Sequence, residues 1–202
     1  MDSTQILEQA ANSVTDRTVK KPAASETVAA LLESEQAAKK NKSASKFEQL
    51  IGDWRLCLIS GKQTRKTAKK SGQYLPIFIN IQLSYSANPL NPLENIENQG
   101  FTPGTIQNIV KVASVKFTIS GPAKFIEKNN LLAFDFTRMK VQMFGVKLYD
   151  GYIRNGENSE AKFYQRKISR QAFFAYFFIA EKAIAARGRG GGLALWGRVR
   201  GK

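Results

Sequence analysis

The fold is decided by the stretch Leu50-Ile51-Gly52-Asp53-Trp54-Arg55-Leu56-Cys57-Leu58, where a helical pattern gives way to an alternating, strand-like one. The chain's end has the same character in the stretch Ile184-Ala185-Ala186-Arg187-Gly188-Arg189-Gly190-Gly191-Gly192-Leu193-Ala194-Leu195-Trp196-Gly197-Arg198. Each stretch is an apolar, alternating strand that carries a Trp and an Arg beside Gly. Matching first and last strands indicate a sheet that closes on itself, and a closed barrel of this size can hold an apolar guest.

Between these two stretches lies a series of short segments in which apolar and polar residues alternate, separated by turn residues. Such regular spacing is typical of a barrel or a sandwich and predicts a mainly β, antiparallel fold. Besides the two ends, the predicted strands are 75–84, 106–112, 113–119, 124–126, 131–136, 139–148, 162–169 and 173–180. Turns are predicted at Ser120-Gly121-Pro122, Lys128-Asn129-Asn130 and Asn155-Gly156, and long loops over 60–72 and 86–105.

The first 45 residues have a different pattern and predict helices and a linker. Ile6, Leu7 and Ala10 fall on one helical face, and a second helix is expected from Ser25 to about Lys40. We therefore divide the chain into a helical extension, 1–45, and a barrel domain, 46–202. The sequence leaves open whether these helices cap the barrel or trail from it.

The composition argues against most enzyme chemistry. The chain has 202 residues, no His and a single Cys, Cys57. The commonest general base and metal ligand is therefore missing, and an internal disulfide or multi-Cys metal site is excluded. Asp135 stands in an apolar strand, but we interpret it as an outward-facing residue. We expect no enzyme, no catalytic residues, no metal and no resident cofactor.

The positive charge lies entirely outside the helical extension. The formal net charge is +15; residues 1–50 hold seven Lys/Arg and seven Asp/Glu, whereas residues 51–202 hold 24 and nine. Such a field favours an anionic membrane surface or nucleic acid, or it is a basic surface with no specific target. The cations of one predicted loop are candidates for membrane or anion contact, or for a solvated hairpin end: Lys62, Arg65, Lys66, Lys69 and Lys70.

Membrane crossing and export are not expected. The start of the chain lacks the basic region of a signal peptide and the Arg-rich character of a transit peptide. The longest apolar run, Ala172 to Ala180, is far shorter than the roughly 20 residues of a spanning helix.

Candidate cavity-lining residues are chosen on strand alternation alone, so a register error of one residue would invert the choice. They are Trp54, Leu56, Leu58, Ile79, Ile81, Val115, Phe117, Phe134, Met143, Phe163 and Phe177. The sequence leaves open whether the barrel encloses a cavity or is filled by its Phe side chains; a filled barrel would bind a partner by its outer surface.

The Trp at the start of the first strand predicts a plug at one end of the barrel. An Arg from the last strand can cover its indole face through a cation–π contact. Arg198 is the first choice and Arg187 the reserve, so the barrel-closing residues are Gly52, Trp54, Arg187 and Arg198.

These residues also carry a family resemblance. The Gly52-x-Trp54-x-Leu56 opening resembles that of lipocalin-like proteins. Residues 184–196 resemble the closing Arg-Gly-x-Gly-Gly segment of the fibrillin, or plastid lipid-associated, family, and Phe173 to Glu181 resembles that family's preceding strand. The resemblance covers roughly residues 46–200. The chain departs from the family at Lys182, where members carry a second acidic residue after the position of Glu181.

The resemblance implies a lipocalin-like barrel from an oxygenic phototroph. It implies non-catalytic binding of a lipid, carotenoid or prenylquinone, with an anionic membrane surface or photosynthetic membrane proteins as partners. The implied location is peripheral, on the cytoplasmic side of the thylakoid membrane of a cyanobacterium, or in a plastid if the source is eukaryotic.

Two alternative functions stay open. The run Arg187-Gly188-Arg189-Gly190-Gly191-Gly192 invites an RNA-binding interpretation, although a Gly-rich hairpin turn explains it better and makes nucleic acid the less favoured partner. Bilin-attaching lyases also use a lipocalin-like barrel, so a chromophore chaperone is the second alternative.

Overall fold

A computed structural model of the chain describes residues 1–16, 18–41, 43–61, 72–76, 78–87 and 100–199. Its strands are β1 Gly52–Ser60, β2 Gly72–Tyr74, β3 Ile79–Ala87, β4 Thr102–Val112, β5 Val115–Ile126, β6 Leu131–Phe134, β7 Arg138–Met143, β8 Val146–Tyr152, β9 Ala172–Ile179, β10 Ala183–Gly188 and β11 Leu193–Arg198. Its α-helices are α1 Ser3–Thr15, α2 Ala24–Asn41 and α3 Gly156–Ala161. The mainly β fold class is confirmed.

The sheet closes into an eight-stranded antiparallel barrel. The strands follow the order β4-β3-β1-β11-β10-β9-β6-β5, and pairing of β4 with β5 completes the circle. The first and last strands lie side by side, with Trp54 opposite Arg198 and Leu56 opposite Trp196. The predicted neighbourhood of the two Trp-bearing stretches is therefore confirmed.

Beyond the barrel, β3, β4 and β5 continue in the same sheet and are joined by β7 and β8; we call this extension the wing. The second half of β5 pairs β6 within the barrel, whereas its first half, Val115 to Ser120, pairs β7, and β7 pairs β8. The wing comprises the start of β3, the end of β4, the start of β5, and β7 with β8: residues 79–81, 109–120 and 138–152. It is an open extension of the barrel wall.

The N-terminal helices pack against the outside of the barrel. Leu7 and Ala11 of α1 and Leu31 of α2 are fully buried in one cluster with Leu58 and Leu195. Gly197 permits the approach of α1, because a Cβ there would stand 2.6 Å from the Ala11 carbonyl oxygen. The helices thus neither cap an open end nor trail free.

Three predicted elements are wrong in detail. The turn predicted at Ser120-Gly121-Pro122 lies inside β5, at the point where the strand passes from wing to barrel. The segment predicted as strand 139–148 is a hairpin that turns at Phe144 and Gly145. The strand predicted over 162–169 is a run of turns after α3, because Lys162 ends that helix and Phe163 and Arg166 make turn hydrogen bonds.

Candidate apolar binding face

One face of the wing is almost wholly apolar. Residues directly opposite each other across neighbouring antiparallel strands point to the same side of a sheet. Pairing of Ile79 with Val112, Val110 with Phe117 and Phe117 with Val141 therefore joins four strands in one surface. We call it the inner wing face: Ile79, Ile81, Val110, Val112, Val115, Phe117, Ile119, Met139, Val141, Met143 and Val146.

The inner wing face is the direct continuation of the barrel interior. On the same strands and the same side, Leu83, Tyr85, Ile106, Ala123 and Phe125 are buried in the interior cluster. All eleven members of the inner wing face, by contrast, keep some exposure, and Phe117 remains 44% exposed. Large exposed apolar patches on a soluble protein mark binding surfaces.

The barrel interior beneath this face is packed with aromatic rings. Trp54, Phe125, Phe134, Tyr176 and Trp196 belong to one buried cluster. The hydroxyls of Tyr85 and Tyr176 lie 2.5 Å apart, and burial raises the pKa of both. Both phenols therefore stay neutral at physiological pH. The interior rings are buried, whereas the apolar side chains of the wing stay partly exposed.

A groove extends the inner wing face towards the helices. It has a volume of about 370 Å³ and is lined by Ser13, Val14, Val19, Lys21, Arg55, Leu56, Leu75, Pro76 and Ile79. Ile79 belongs to both surfaces. The volume falls in the range of about 300–1,000 Å³ that is usual for small-molecule sites. Two cationic side chains, Lys21 and Arg55, lie among the mainly apolar lining residues.

One polar group on this surface lacks a partner. Asn108 lies on the inner face between Leu83 and Ile119, where the wing meets the barrel. Its Oδ1 atom is buried, and within the part of the chain that the structure describes it accepts no hydrogen bond. Buried polar atoms are nearly always paired, so this oxygen gains a partner when the Asn108 side chain turns towards a donor on a bound molecule.

The opposite, outer face of the wing is polar and basic. Lys111, Lys116 and Lys147 alternate with the apolar residues and therefore point away from them. Lys140 and Lys147 share Asp150, with Nζ–Oδ2 distances of 4.0 and 3.7 Å. The wing is thus an amphipathic sheet, and its cations stand on the side that the apolar face does not use.

The structure divides the predicted cavity-lining residues among several environments. Five belong to the inner wing face: Ile79, Ile81, Val115, Phe117 and Met143. Trp54 and Phe134 are buried in the barrel interior, and Leu56 packs against that interior cluster from its edge. Whether any of these residues contacts a ligand stays a prediction.

Three predicted lining residues lie outside the barrel. A bulge in β1 between Leu56 and Leu58 reverses the alternation, so Leu58 faces α2 rather than the interior. A second bulge leaves Phe177 unpaired between Tyr176 and Phe178, and Phe177 packs against the helix-side cluster. Phe163 is buried on the outside, with its ring centroid 5.3 Å from the Lys124 Nζ.

Sequence reasoning missed several members of the inner wing face, namely Val110, Ile119, Met139, Val141, Val146 and the nearby Asn108. The dipeptide Phe144-Gly145 is the signal that could have found the β7–β8 members. Both residues have positive φ, 50° and 81°, and together they form a two-residue hairpin loop between Met143 and Val146.

Arg198 covers Trp54 at the closed end of the barrel. Its guanidinium carbon lies 4.0 Å from the centroid of the Trp54 ring, as expected from the sequence. The same guanidinium donates to the carbonyl oxygens of Glu181, Ile51 and Gln49 at 2.6, 3.1 and 3.1 Å. Gly52 leaves room for it, because a Cβ at Gly52 would lie 2.8 Å from Arg198 Nη1.

Arg187 anchors a helix and does not cover Trp54. Its Nε and Nη2 donate to the Glu35 carboxylate of α2 at 2.7 and 2.6 Å, and its Nη1 donates to the Gly191 carbonyl oxygen. Burial alone would raise the pKa of Glu35, but hydrogen bonds from Arg187 and Lys39 outweigh it and hold that pKa below its usual value. The expectation that Arg187 closes the barrel is wrong.

The Arg-Gly run is the hairpin between β10 and β11, and its Arg side chains are engaged within the protein. Arg189 donates to the carbonyl oxygens of Gln171 and Ser169 at 2.9 and 2.8 Å. Gly191 has a φ of 87°, a conformation that glycine adopts readily. These contacts favour the hairpin interpretation of the run over an RNA-binding one.

The residues considered for chemistry occupy structural positions. The Cys57 Sγ donates to the Ala10 carbonyl oxygen at 3.0 Å, and burial raises the pKa of this thiol to about 12. The Asp135 Oδ2 lies 3.6 Å from the Arg166 Nη1. Among the described residues, no group of three or more acidic or Cys side chains could hold a metal ion. The predicted basic loop, Lys62 with Arg65, Lys66, Lys69 and Lys70, lies outside the described residues.

A scan against protein-family models and a search of curated proteins return no match to this chain. In the described part of the chain, no helix combines the length and the hydropathy needed to cross a bilayer.

Proposed function

We propose that the protein binds a hydrophobic or amphipathic molecule on the inner wing face, without changing it chemically, and attaches peripherally to a membrane surface. One observation carries the proposal: the apolar lining of the barrel continues onto a surface that stays partly exposed. A surface of this kind costs free energy in water and gains it when an apolar molecule covers it.

The expected affinity comes from burial. A ligand that removes about 300 Å² of apolar surface from water gains roughly 7.5 kcal/mol at about 25 cal/mol per Å². The association cost of at least about 4 kcal/mol reduces this gain, so the apolar face alone supports weak binding. Hydrogen bonding to Asn108 and extension into the groove beside Ile79 are the two features that strengthen it.

The ligand class follows from two features of this surface, its apolar face and its unpaired amide oxygen. The inner wing face suits an extended hydrocarbon chain, and the Asn108 oxygen suits a donor such as a hydroxyl group. A lipid with a free hydroxyl group, a hydroxylated carotenoid or a reduced prenylquinone combines both features, in agreement with the fibrillin resemblance. The proposed membrane is the photosynthetic membrane, which is the location that the resemblance implies.

The proposal is tested by extracting the purified protein with organic solvent and measuring absorbance and lipid mass. Val141→Asp places a charge on the inner wing face, whereas Gln142→Asp places the same charge on the next residue, which faces outwards. We expect an extractable apolar compound in the wild type and in Gln142→Asp, and its loss in Val141→Asp.

The outcomes separate the alternative functions. Equal ligand content in both variants would contradict the inner wing face as the binding site. A bound tetrapyrrole that is transferred to an acceptor Cys would favour the chromophore chaperone. Absence of any ligand, with nucleic-acid affinity that falls steeply with salt, would favour the RNA-binding alternative.

A further inference from the structure

Two hairpin ends meet at the far end of the wing. The β4–β5 hairpin turns at Ala113 and Ser114, and the β7–β8 hairpin turns at Phe144 and Gly145. The Phe144 backbone N–H donates to the Ser114 carbonyl oxygen at 3.0 Å and ties the two turns together. We call the wing tip the residues Phe78, Val112, Met143, Phe144 and Val146.

The wing tip exposes large apolar side chains. Phe78 is 75% exposed, Phe144 is 78% exposed and Val146 is 64% exposed. Phe78 directly precedes Ile79, which pairs with Val112, so it stands at the same end of the sheet. Single exposed apolar residues are common, but several clustered at one protruding end require a reason.

The backbone conformation at Phe144 is a second indication that this exposed ring has a role. Phe144 has a φ of 50° and Gly145 a φ of 81°, in a two-residue loop whose first position usually carries Asn, Asp or Gly. A bulky side chain is disfavoured in this conformation. The chain keeps an aromatic ring where an Asn would serve the turn better, and the ring gains little burial in return.

A row of cations stands directly behind the apolar tip. The last paired row of the wing is apolar and consists of Val112, Val115, Met143 and Val146. The row one residue behind it consists of Lys111, Lys116, Gln142 and Lys147. Successive residues along a strand are about 3.3 Å apart, so apolar groups and cations occupy successive depths.

Lys111 and Lys116 are direct cross-strand partners. Like charges directly opposite each other destabilise a sheet. Among the described residues, neither makes an ion pair, and the carboxylate of Asp150 is shared by Lys140 and Lys147. The lysine row therefore carries an uncompensated positive charge, which complements an anionic surface.

We propose that the wing tip inserts into the interface of a bilayer containing anionic lipids, with Phe78, Phe144 and Val146 among the acyl chains and the lysine row at the phosphate groups. This inference rests on the proposed function, because it names the surface by which the protein attaches. It also places the inner wing face at the bilayer, where an apolar ligand can enter it without crossing water.

The test is flotation of the full chain with vesicles of phosphatidylcholine alone and of phosphatidylcholine mixed with phosphatidylglycerol. Phe144→Asn removes the ring and gives the turn its preferred Asn-Gly sequence, so the variant keeps the fold. Ile59→Asn is the matched control, because Ile59 is 45% exposed on β1, outside the wing tip.

We expect wild type and Ile59→Asn to float with anionic vesicles and Phe144→Asn to bind about tenfold more weakly, as loss of a buried aromatic ring implies. Lys111→Gln and Lys116→Gln should each lower affinity about fivefold, and only on anionic vesicles. A Trp placed by Phe144→Trp should show a blue-shifted emission with these vesicles and no shift without them.

Two results would overturn the insertion. Vesicle binding unchanged in Phe144→Asn would show that another surface attaches the protein, and the proposed ligand binding would stand. If the wild type does not bind vesicles but forms a dimer that Phe144→Asn disrupts, the wing tip binds a second copy of the chain and not a bilayer. Solvent extraction of Val141→Asp tests ligand binding separately from membrane attachment.

Discussion

At the scale of single residues, Arg198 connects the first and last strands of the barrel. It stacks on Trp54 of β1, and it donates to carbonyl oxygens before β1 and at the β9–β10 connection. The sequence predicted this pair because an Arg and a Trp in matching strands can form a cation–π contact. The three carbonyl partners could not be predicted, since they depend on the path of the backbone at Gln49, Ile51 and Glu181.

We expect Arg198→Lys to lower the free energy of unfolding by about 2–3 kcal/mol. A lysine keeps the charge but cannot reach three carbonyl oxygens at once, and each hydrogen bond from a charged group contributes about 1.5–3 kcal/mol. Urea denaturation followed by Trp fluorescence measures the change. Arg170→Lys, at an exposed position, is the control; equal midpoints for the two variants would contradict this role.

Asn108 is the residue at which stability and binding are expected to diverge. Asn108→Leu removes an unpaired buried oxygen from an apolar surface, so the ligand-free protein should become more stable, by about 1 kcal/mol. The same change should reduce the content of a hydroxyl-bearing ligand. Thermal unfolding and solvent extraction measure the two effects, and a less stable variant would show that the carboxamide supports the fold.

At the scale of secondary-structure elements, a largely buried ion pair adds to the apolar packing that holds α2 to the barrel. Arg187 of β10 binds both carboxylate oxygens of Glu35, and the Glu35 side chain is 10% exposed. The lowered pKa of Glu35 means that the folded state favours the ionised carboxylate. The stabilisation is therefore fully present above the ordinary value of 4.5 and is lost as the pH falls towards the lowered, folded value.

We expect Glu35→Gln to destabilise the protein by about 3 kcal/mol at pH 7, because it leaves the Arg187 guanidinium without its counter-ion. The difference from wild type should shrink as the pH falls below 4.5, since acid then neutralises the carboxylate in the wild type as well. Chemical denaturation at several pH values measures this. A difference that stays constant with pH would contradict the ion-pair explanation.

Cys57 reports on the contact between α1 and the barrel. Burial raises its pKa to about 12, so only about one thiol in 10,000 is ionised at pH 8. We expect a disulfide reagent to react with the native protein orders of magnitude more slowly than with the unfolded chain. Gly197→Ala should accelerate the reaction, because the new Cβ would displace α1 at the Ala11 carbonyl. Equal rates in native and unfolded protein would contradict the buried position.

The predictability of the elements depended on regular alternation. Alternation located the strands in the two matching ends and on the wing, where Ile79, Val115 and Phe117 share the inner face as their period of two implies. It failed at the bulges beside Leu58 and Phe177, because one extra residue inverts every side chain that follows.

At the scale of the whole molecule, the barrel and the wing differ in what they bury and expose. The barrel interior holds a buried cluster rich in aromatic residues, whereas the wing carries an exposed apolar face and an opposite basic face. The sequence indicated both the apolar strands and the excess of positive charge. It could not show the wing, because β5 continues through Gly121 and Pro122, a pair that resembles a turn.

Methyl-resolved nuclear magnetic resonance during titration with a reduced prenylquinone in detergent shows whether the inner wing face binds the ligand. We expect chemical-shift changes at Ile81, Val110 and Val141 of the inner wing face, and none at Val28, Leu31 and Leu195 in the helix-side cluster, beyond those caused by detergent alone. Shifts confined to the helix-side methyl groups, or no shifts at a saturating concentration, would contradict it.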